Sequence, residues 1–572
     1  MRRLFLVTLA VLAIGAGLFL ARSRSRRPPL PTIRPVTDSI LLAADTGGNW
    51  VTPGRTLTNQ RFAPFAEVNR ETVKRLLPIW HQGPRRLIKT YLRTESTPIV
   101  TDGILIYTDP GMRHAEPGNH VIAVDLATGR QVWSYYYKPA SAALCCGLVN
   151  RGVAVYGDKV YVGTLDAHLV ALDRRTGREV WNIAVEGTDP AKGYSFSMAP
   201  LAVGGKILIG TSGGEFSIRG FLDAYDPETG RRLWRFYTIP SPEDGGWWGR
   251  LATTTPDGDP LGRDTAEERR DSAAYADAWR EGGGPVWTTP AYDPELGLVI
   301  FTIGNPTGIG GALPGDNLYT TSIAAVDLAT GKLRWYYQII PHNTWDYDPA
   351  SPPVLIDVTV DGTRVPAVAE AAKTGWVYVV DRRTGKRLFR SEPFVPQENV
   401  LPKATPDSIR VAPGSRGGAS WPPAAYSPKT GALYVLGSHY PQMFGPDSAM
   451  AALMDQKTGK PRHRFNRFKD LPKETRHGII SAVDLATGKI RWQYKVKDPL
   501  MFGGALATAG DLVFFPEPAF LNALDAETGR LIWRHELDRG PLGPPISFME
   551  HGHQRIAVTS TAGVTVFGLD GK

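Results

Sequence analysis

The chain has 572 residues and a net charge of +9, but six arginines in residues 1–27 face no acid there, which leaves +3 for the remainder. That surplus is too small and too scattered to serve a nucleic-acid partner. Gly (61) and Pro (47) are plentiful, a composition that suits an all-β protein with many turns.

Two arginines precede an uncharged apolar run from Leu4 to Ala21, which is followed by a second basic cluster and two prolines. A run of this length fits a signal or a short membrane-spanning anchor. Residues 1–27 are therefore expected to be a signal or anchor segment, 28–44 a linker, and 45–572 a single exported domain. The placement expected is periplasmic, held at the inner membrane by the N-terminal segment, or secreted if that segment is cleaved.

Beyond an irregular lead-in containing Trp50 and Trp80, a repeat takes over. Its signature is Asp-x-x-Thr-Gly-x-x-x-Trp after alternating apolar residues, at Asp125, Asp173, Asp226, Asp327, Asp484 and Asp525, and at Asp381 with Phe389 in place of the Trp. An apolar strand ends at the Asp, the Gly supplies the positive φ of a tight turn, and the next strand carries an aromatic ring. The rings are expected to dock each repeat on its neighbour. Gaps of 101 and 103 residues, after Asp226 and Asp381, read as two repeats each, with degenerate copies at Asp293–Gly297 and Ser427–Gly431. Strand groups at this period predict a β-propeller of four-stranded blades. The stretch 264–282 reads as the one helix, inserted between blades.

Several motifs bear on chemistry. Pro341-His342-Asn343-Thr344-Trp345-Asp346-Tyr347-Asp348-Pro349 holds two carboxylates two residues apart among aromatic rings and between prolines. Such a pair suits a general base, a hard-cation site, or both. Glu215 follows a Gly pair and Asn305 stands between Gly and Pro, each just after an apolar run. Their oxygens are ligands that a hard cation takes. The two cysteines are adjacent, Cys145-Cys146. Neighbouring Cα atoms lie about 3.8 Å apart, so a bond between these sulfurs closes a strained ring, and a pair of free thiols is the other reading. With two cysteines and no Cys-x-x-Cys-His, covalent c-type haem is excluded.

Taken together, Cys145-Cys146-Gly-Leu-Val-Asn150-Arg151-Gly, Ser212-Gly-Gly-Glu215 with Arg219-Gly220, Gly304-Asn305-Pro306, Gly315-Asp316-Asn317 and the Trp345-Asp346 stretch resemble the pyrroloquinoline quinone (PQQ)-dependent alcohol dehydrogenases, the family that includes bacterial methanol dehydrogenase. The resemblance spans about residues 45–570 and implies an all-β, eight-bladed propeller. It implies Asp346 as the catalytic base, and Glu215, Asn305, Asp346 and Asp348 around one metal ion, with a lanthanide ahead of calcium because of the extra acid at Asp348. It also implies a Cys145–Cys146 disulfide on one face of the cofactor and Trp287 on the other. Arg151, Ser197, Ser212 and Glu95 would hold the cofactor's edge, and Lys373 its quinone oxygens. One departure is Asn343, where relatives commonly carry an aspartate.

The function expected is an exported quinoprotein dehydrogenase that oxidises an alcohol or aldehyde and passes electrons to a separate cytochrome c or membrane quinone. A sugar or polyol dehydrogenase of the same cofactor class is the alternative. A non-catalytic propeller scaffold stands further off, since it has no need of the Cys pair, the metal set or the Trp platform.

Overall fold

The repeat turns form as their residue types require. Asp173 Oδ1 accepts from the Thr176 backbone N–H at 2.7 Å and the Thr176 hydroxyl at 2.6 Å. Gly177 follows at φ 70° and its N–H returns to the Asp173 carbonyl at 2.8 Å. The short carboxylate supplies the acceptor that bends the chain, and glycine takes the left-handed position at no steric cost. In the computed structural model the described residues are 32–43, 47–83, 94–109, 118–140, 144, 146–307, 313–401, 408–445, 467–499, 501, 503–537, 540 and 542–571. The segment expected as anchor and Cys145 lie outside them. Among the described residues, no helix is long and apolar enough to cross a membrane.

The fold is all-β and propeller-type. Eight antiparallel four-stranded sheets are present among the described residues, one extended by the parallel strand Phe62–Ala63, together with a three-stranded sheet. Seven of the eight carry the signature turn between their third and fourth strands. The eighth takes Ile546–Glu550, His553–Ser560 and Gly563–Leu569 from the C-terminal end and its outer strand, Leu76–Gln82, from near the start. Inner strands such as Ile104–Asp109 are buried at every position, whereas outer strands such as Gln131–Tyr137 alternate. Strands covered on both faces read as continuous apolar runs, and those at the rim do not.

The long gaps are not double repeats. Asp293–Gly297 and Ser427–Gly431 join first to second strands, Ala291–Asp293 to Leu298–Ile303 and Ala425–Ser427 to Ala432–His439. Each gap is one sheet plus an excursion, and the sequence misled because any tight turn selects similar residues. The excursion over 240–282 is helical only at Thr265–Asp271, capped by Asp264 accepting from Ala266 and Glu267 N–H, and then tightens into short 3-10 turns. A second short helix, Asp38–Leu42, was not foreseen.

Neighbouring sheets meet through the repeat's ring and glycine. The indole N–H of Trp133 donates to the Arg174 carbonyl at 2.9 Å, and a Cβ on Gly177 would stand 2.5 Å from that indole. Trp181, Trp234, Trp335 and Trp492 donate likewise to Pro227, Leu328, Arg382 and Ala526. Phe389 has no N–H to give, and there Glu392 makes the link, its own N–H to the Gly488 carbonyl at 2.8 Å and its carboxylate to the Ile490 N–H at 2.9 Å.

The lead-in ties the inner strands together. Residues 48–63 accept main-chain bonds from Met549, Val100, Tyr292, Leu355, Tyr426 and Ala507, each at the first strand of a different sheet. Within it the buried Arg61 donates to the carbonyls of Ala505, Pro53 and Pro545 at 2.6–2.8 Å and lies over Trp50. Burial pushes its guanidinium down to about 9.

Candidate active site

In an antiparallel four-stranded sheet, the segment entering the first strand and the segment leaving the second lie at the same end. Almost all the predicted site residues fall in these two places. Glu95, Arg151, Ser197, Trp287 and the Asp346–Asp348 pair precede first strands that begin at Ile99, Ala154, Leu201, Ala291 and Val354. Ser212, Glu215, Asn305 and Lys373 follow second strands that end at Gly210, Ile303 and Ala371. The glycine turns that define the repeat occupy the opposite end. Topology thus gathers residues far apart in the chain without any of them belonging to the repeat.

Two clusters result. In the first, Arg151 Nη2 stands 2.6 Å from Glu95, while Nη1 donates to Ser197 Oγ at 2.7 Å and to the Trp287 carbonyl at 3.1 Å. Ser197 and Ser212 share a hydrogen bond at 2.6 Å. The guanidinium lies 4.8 Å from the Trp287 ring centroid and 5.9 Å from that of Trp421. Burial lowers the Arg151 pKa from its ordinary value, with Glu95 opposing. A pocket opens here, lined by Asn59, Arg61, Glu95, Thr97, Arg151 and Trp421 among others.

In the second cluster, Lys373 Nζ lies 2.7 Å from Asp348 and 3.2 Å from Asp346. Asn305 donates its main-chain N–H to Asp348 at 2.8 Å and its side-chain NH₂ to both Asp346 and Asp348. Burial pushes the Asp346 carboxyl above the usual carboxylate range; Lys373 opposes this, and Asp348 and Glu215 add to it. Burial works against the Lys373 ammonium, yet the two carboxylates outweigh it and hold its pKa above the ordinary value. Asp346 itself sits at φ 61°, a backbone conformation that costs a non-glycine residue energy and that places its carboxylate beside Asn305.

Gly304 is where the clusters meet. A Cβ there would lie 2.8 Å from Asp348 Oδ1 and 3.1 Å from Trp287 Nε1, so only a glycine lets the carboxylate and the indole converge. Glu215 is not part of the hydrogen-bonded knot among the described residues. Its side chain is open to solvent on one side, while burial on the other raises its pKa, with the charge of Asp348 adding. Among the described residues no three His, Cys, Asp or Glu side chains already converge as a metal cluster. Cys146 is exposed, and its expected partner Cys145 lies outside the described residues.

Two contributors were not foreseen. Thr321, fully buried, places its hydroxyl 3.1 Å from Asn343 Nδ2. Arg61 lines the cavity from the lead-in, where the sequence offered only an isolated arginine. Neither belongs to a motif of its own.

The residues fit the group that the motifs imply. The buried Arg151 Nε has no hydrogen-bond partner among the described residues, a donor left over for an anion beside an open cavity. The paired carboxylates, with an amide beside them, are the donor set of a hard cation. Comparison with known proteins agrees. Residues 50–406 and 392–556 match the PQQ family described as "Glucose/ethanol/alcohol dehydrogenase, beta-propeller domain". The chain is 34% identical to quinohemoprotein alcohol dehydrogenase ADH IIB of Pseudomonas putida, over 95% of its own length and 81% of that protein. It is 33% identical to quinoprotein alcohol dehydrogenase PedH of P. putida, over 90% and 86%. Among solved structures, a europium-containing methanol dehydrogenase superposes with a TM-score of 0.75 at 29% identity, covering 92% of each chain. The chain belongs to the PQQ-dependent alcohol dehydrogenase family, and it is an enzyme of that class.

Proposed function

We propose that this protein oxidises an alcohol at the Asp346–Asp348–Lys373 cluster, with PQQ held above Trp287 and one metal ion bound by Glu215, Asn305, Asp346 and Asp348. The observation that carries this reading is the meeting of a carboxylate–lysine knot and an arginine–serine–tryptophan cradle at Gly304. PQQ and its metal, when bound, supply the electron-accepting quinone and the Lewis acid.

The protein's own part is positioning and proton transfer. Asp346 is the base for the substrate hydroxyl, and its buried setting brings its basicity towards that required near neutral pH. Lys373 stands between the two carboxylates, with its ammonium within ion-pair distance of both. Arg151, steadied by Glu95 and Ser197, offers its remaining donor to a carboxylate of the cofactor. Trp287 gives a flat apolar floor, and the Cys145–Cys146 pair, joined as a disulfide, covers the other face. The second acid, Asp348, suits a trivalent ion, which needs more negative charge than calcium.

The same reading takes the eight sheets as eight blades, closed by the Trp–glycine contacts. It also takes residues 1–27 as a signal or anchor, 28–44 as a linker, and 45–572 as a periplasmic domain. In this reading electrons leave to a separate cytochrome c or to membrane quinone.

The test is dye-linked oxidation by the full chain reconstituted with PQQ and either lanthanum or calcium, on short alcohols, aldehydes and aldoses. Turnover of alcohols with lanthanum supports the whole reading. Turnover with calcium alone removes the lanthanide assignment, preference for aldoses replaces the substrate class, and absence of PQQ binding with either ion overturns the proposal.

A further inference from the structure

Beside the carboxylate knot, two buried amides face one another, and their donors and acceptors fix which way each points. The Trp345 backbone N–H, which can only donate, meets Asn343 Oδ1 at 3.0 Å. Asn343 must therefore turn its NH₂ the other way, where it donates to Asn305 Oδ1 at 2.8 Å and to the Thr321 hydroxyl at 3.1 Å. Asn305 in turn shows its own NH₂, not its oxygen, to Asp346 and Asp348. Asn343 is 3% and Asn305 6% exposed, so water does not relax the arrangement.

A cation between those carboxylates is served by an amide oxygen and opposed by an NH₂. For Asn305 to present its oxygen, its amide must rotate by half a turn. Its NH₂ then meets the NH₂ of Asn343, donor against donor, unless Asn343 rotates as well. After that second rotation the Thr321 hydroxyl can donate to Asn343 Oδ1, but the Trp345 N–H has lost its acceptor.

We propose that Asn343 is a positioning residue that couples cation loading to the Trp345 main chain: the Asn305 and Asn343 amides turn together, and the Trp345 N–H is released when they do. This rests on the cation reading above. An aspartate at the position accepts from the Trp345 N–H and the Asn305 NH₂ at once, so Asn343→Asp removes the conflict. Leaving a buried donor unsatisfied weakens an equilibrium by roughly tenfold or more, and the variant is expected to bind the cation more tightly by at least that factor.

The experiment uses the full chain labelled with [¹⁵N]tryptophan, with PQQ present, titrated with lanthanum chloride. In the unsubstituted protein the Trp345 amide proton, assigned by Trp345→Phe, should move upfield on loading. In Asn343→Asp it should stay, while lanthanum affinity measured by calorimetry rises about tenfold or more. The amide readout separates this geometry from the simple gain of a negative charge, and the unsubstituted protein supplies it even if the variant fails to fold. An unmoved Trp345 amide with lanthanum bound overturns this inference alone. Absence of any lanthanum binding removes the lanthanide assignment of the proposed function, and this inference with it.

Discussion

The Lys373 ammonium stands 2.7 Å from Asp348 and 3.2 Å from Asp346, one cation between two acids that are themselves nearly buried. It offsets, in the protein alone, the repulsion between the pair. Removing it leaves two uncompensated charges, a change that costs about 3–5 kcal/mol at buried pairs. Lys373→Met is expected to lower the thermal midpoint by several degrees in metal-free protein. Lanthanum with PQQ should recover much of the loss, as followed by calorimetry with and without the ion.

Asp348 separates two roles that Asp346 combines. Asp348→Asn keeps an acceptor for the Asn305 N–H while removing a charge. Cation affinity should fall about tenfold or more, by the loss of one charged interaction of about 1.5–3 kcal/mol, and more for lanthanum than for calcium. Parallel titrations with the two ions measure the difference.

Arg151 offers the free donor of the cradle. Arg151→Lys keeps charge but loses the planar fork that reaches Glu95, Ser197 and Trp287 together. PQQ affinity, read from quenching of tryptophan fluorescence, is expected to weaken about tenfold or more. The thermal midpoint of the cofactor-free protein should change little by comparison.

Glu370 is fully buried on the strand Thr363–Ala371, and burial holds its carboxyl well above the ordinary value, opposed by the Ser351 main chain. A raised pKa in the folded state means that its contribution to stability is fully present below the unfolded value near 4.5 and is lost as pH rises towards the folded one. Glu370→Gln, which never ionises, should therefore raise the thermal midpoint relative to the parent at pH 8 and gain little at pH 4. Melting curves across that range check the sign.

Gly177 carries both constraints of the repeat, φ 70° and an indole 2.5 Å from where a Cβ would lie. Gly177→Ala should cost about 1–3 kcal/mol through overpacking and strain. The same substitution at Gly297, also at positive φ but with open space around it, should cost less. Denaturant midpoints for the pair isolate the packing term.

The strand class and the turns were legible because each uses local rules: an Asp acceptor, a positive-φ glycine, and apolar runs covered on both faces. The numbering of repeats was less so, since the Asp293–Gly297 and Ser427–Gly431 turns obey the same rules at a different place in the sheet. The site residues could be named from motifs, but their company could not. Nothing local in the sequence brings Arg151 to Trp287 or Thr321 to Asn343. These contacts follow from every first strand beginning, and every second strand ending, at one end of its sheet. The Asn343–Asn305 pairing depends on which atom of each amide faces inward, and that is settled by a single N–H at Trp345.

The eighth sheet has a consequence for synthesis. Its outer strand, Leu76–Gln82, pairs with Gly563–Leu569. A growing chain must carry Leu76–Gln82 with an unclaimed edge until Gly563–Leu569 emerges. Deleting Gly563–Leu569 should therefore loosen Leu76–Gln82, a strand made near the beginning, and with it the Trp80 indole that bonds to Leu126 at 3.0 Å. The two strands act as a clasp, so a cut just before Gly563 would be felt at Leu76–Gln82 as well.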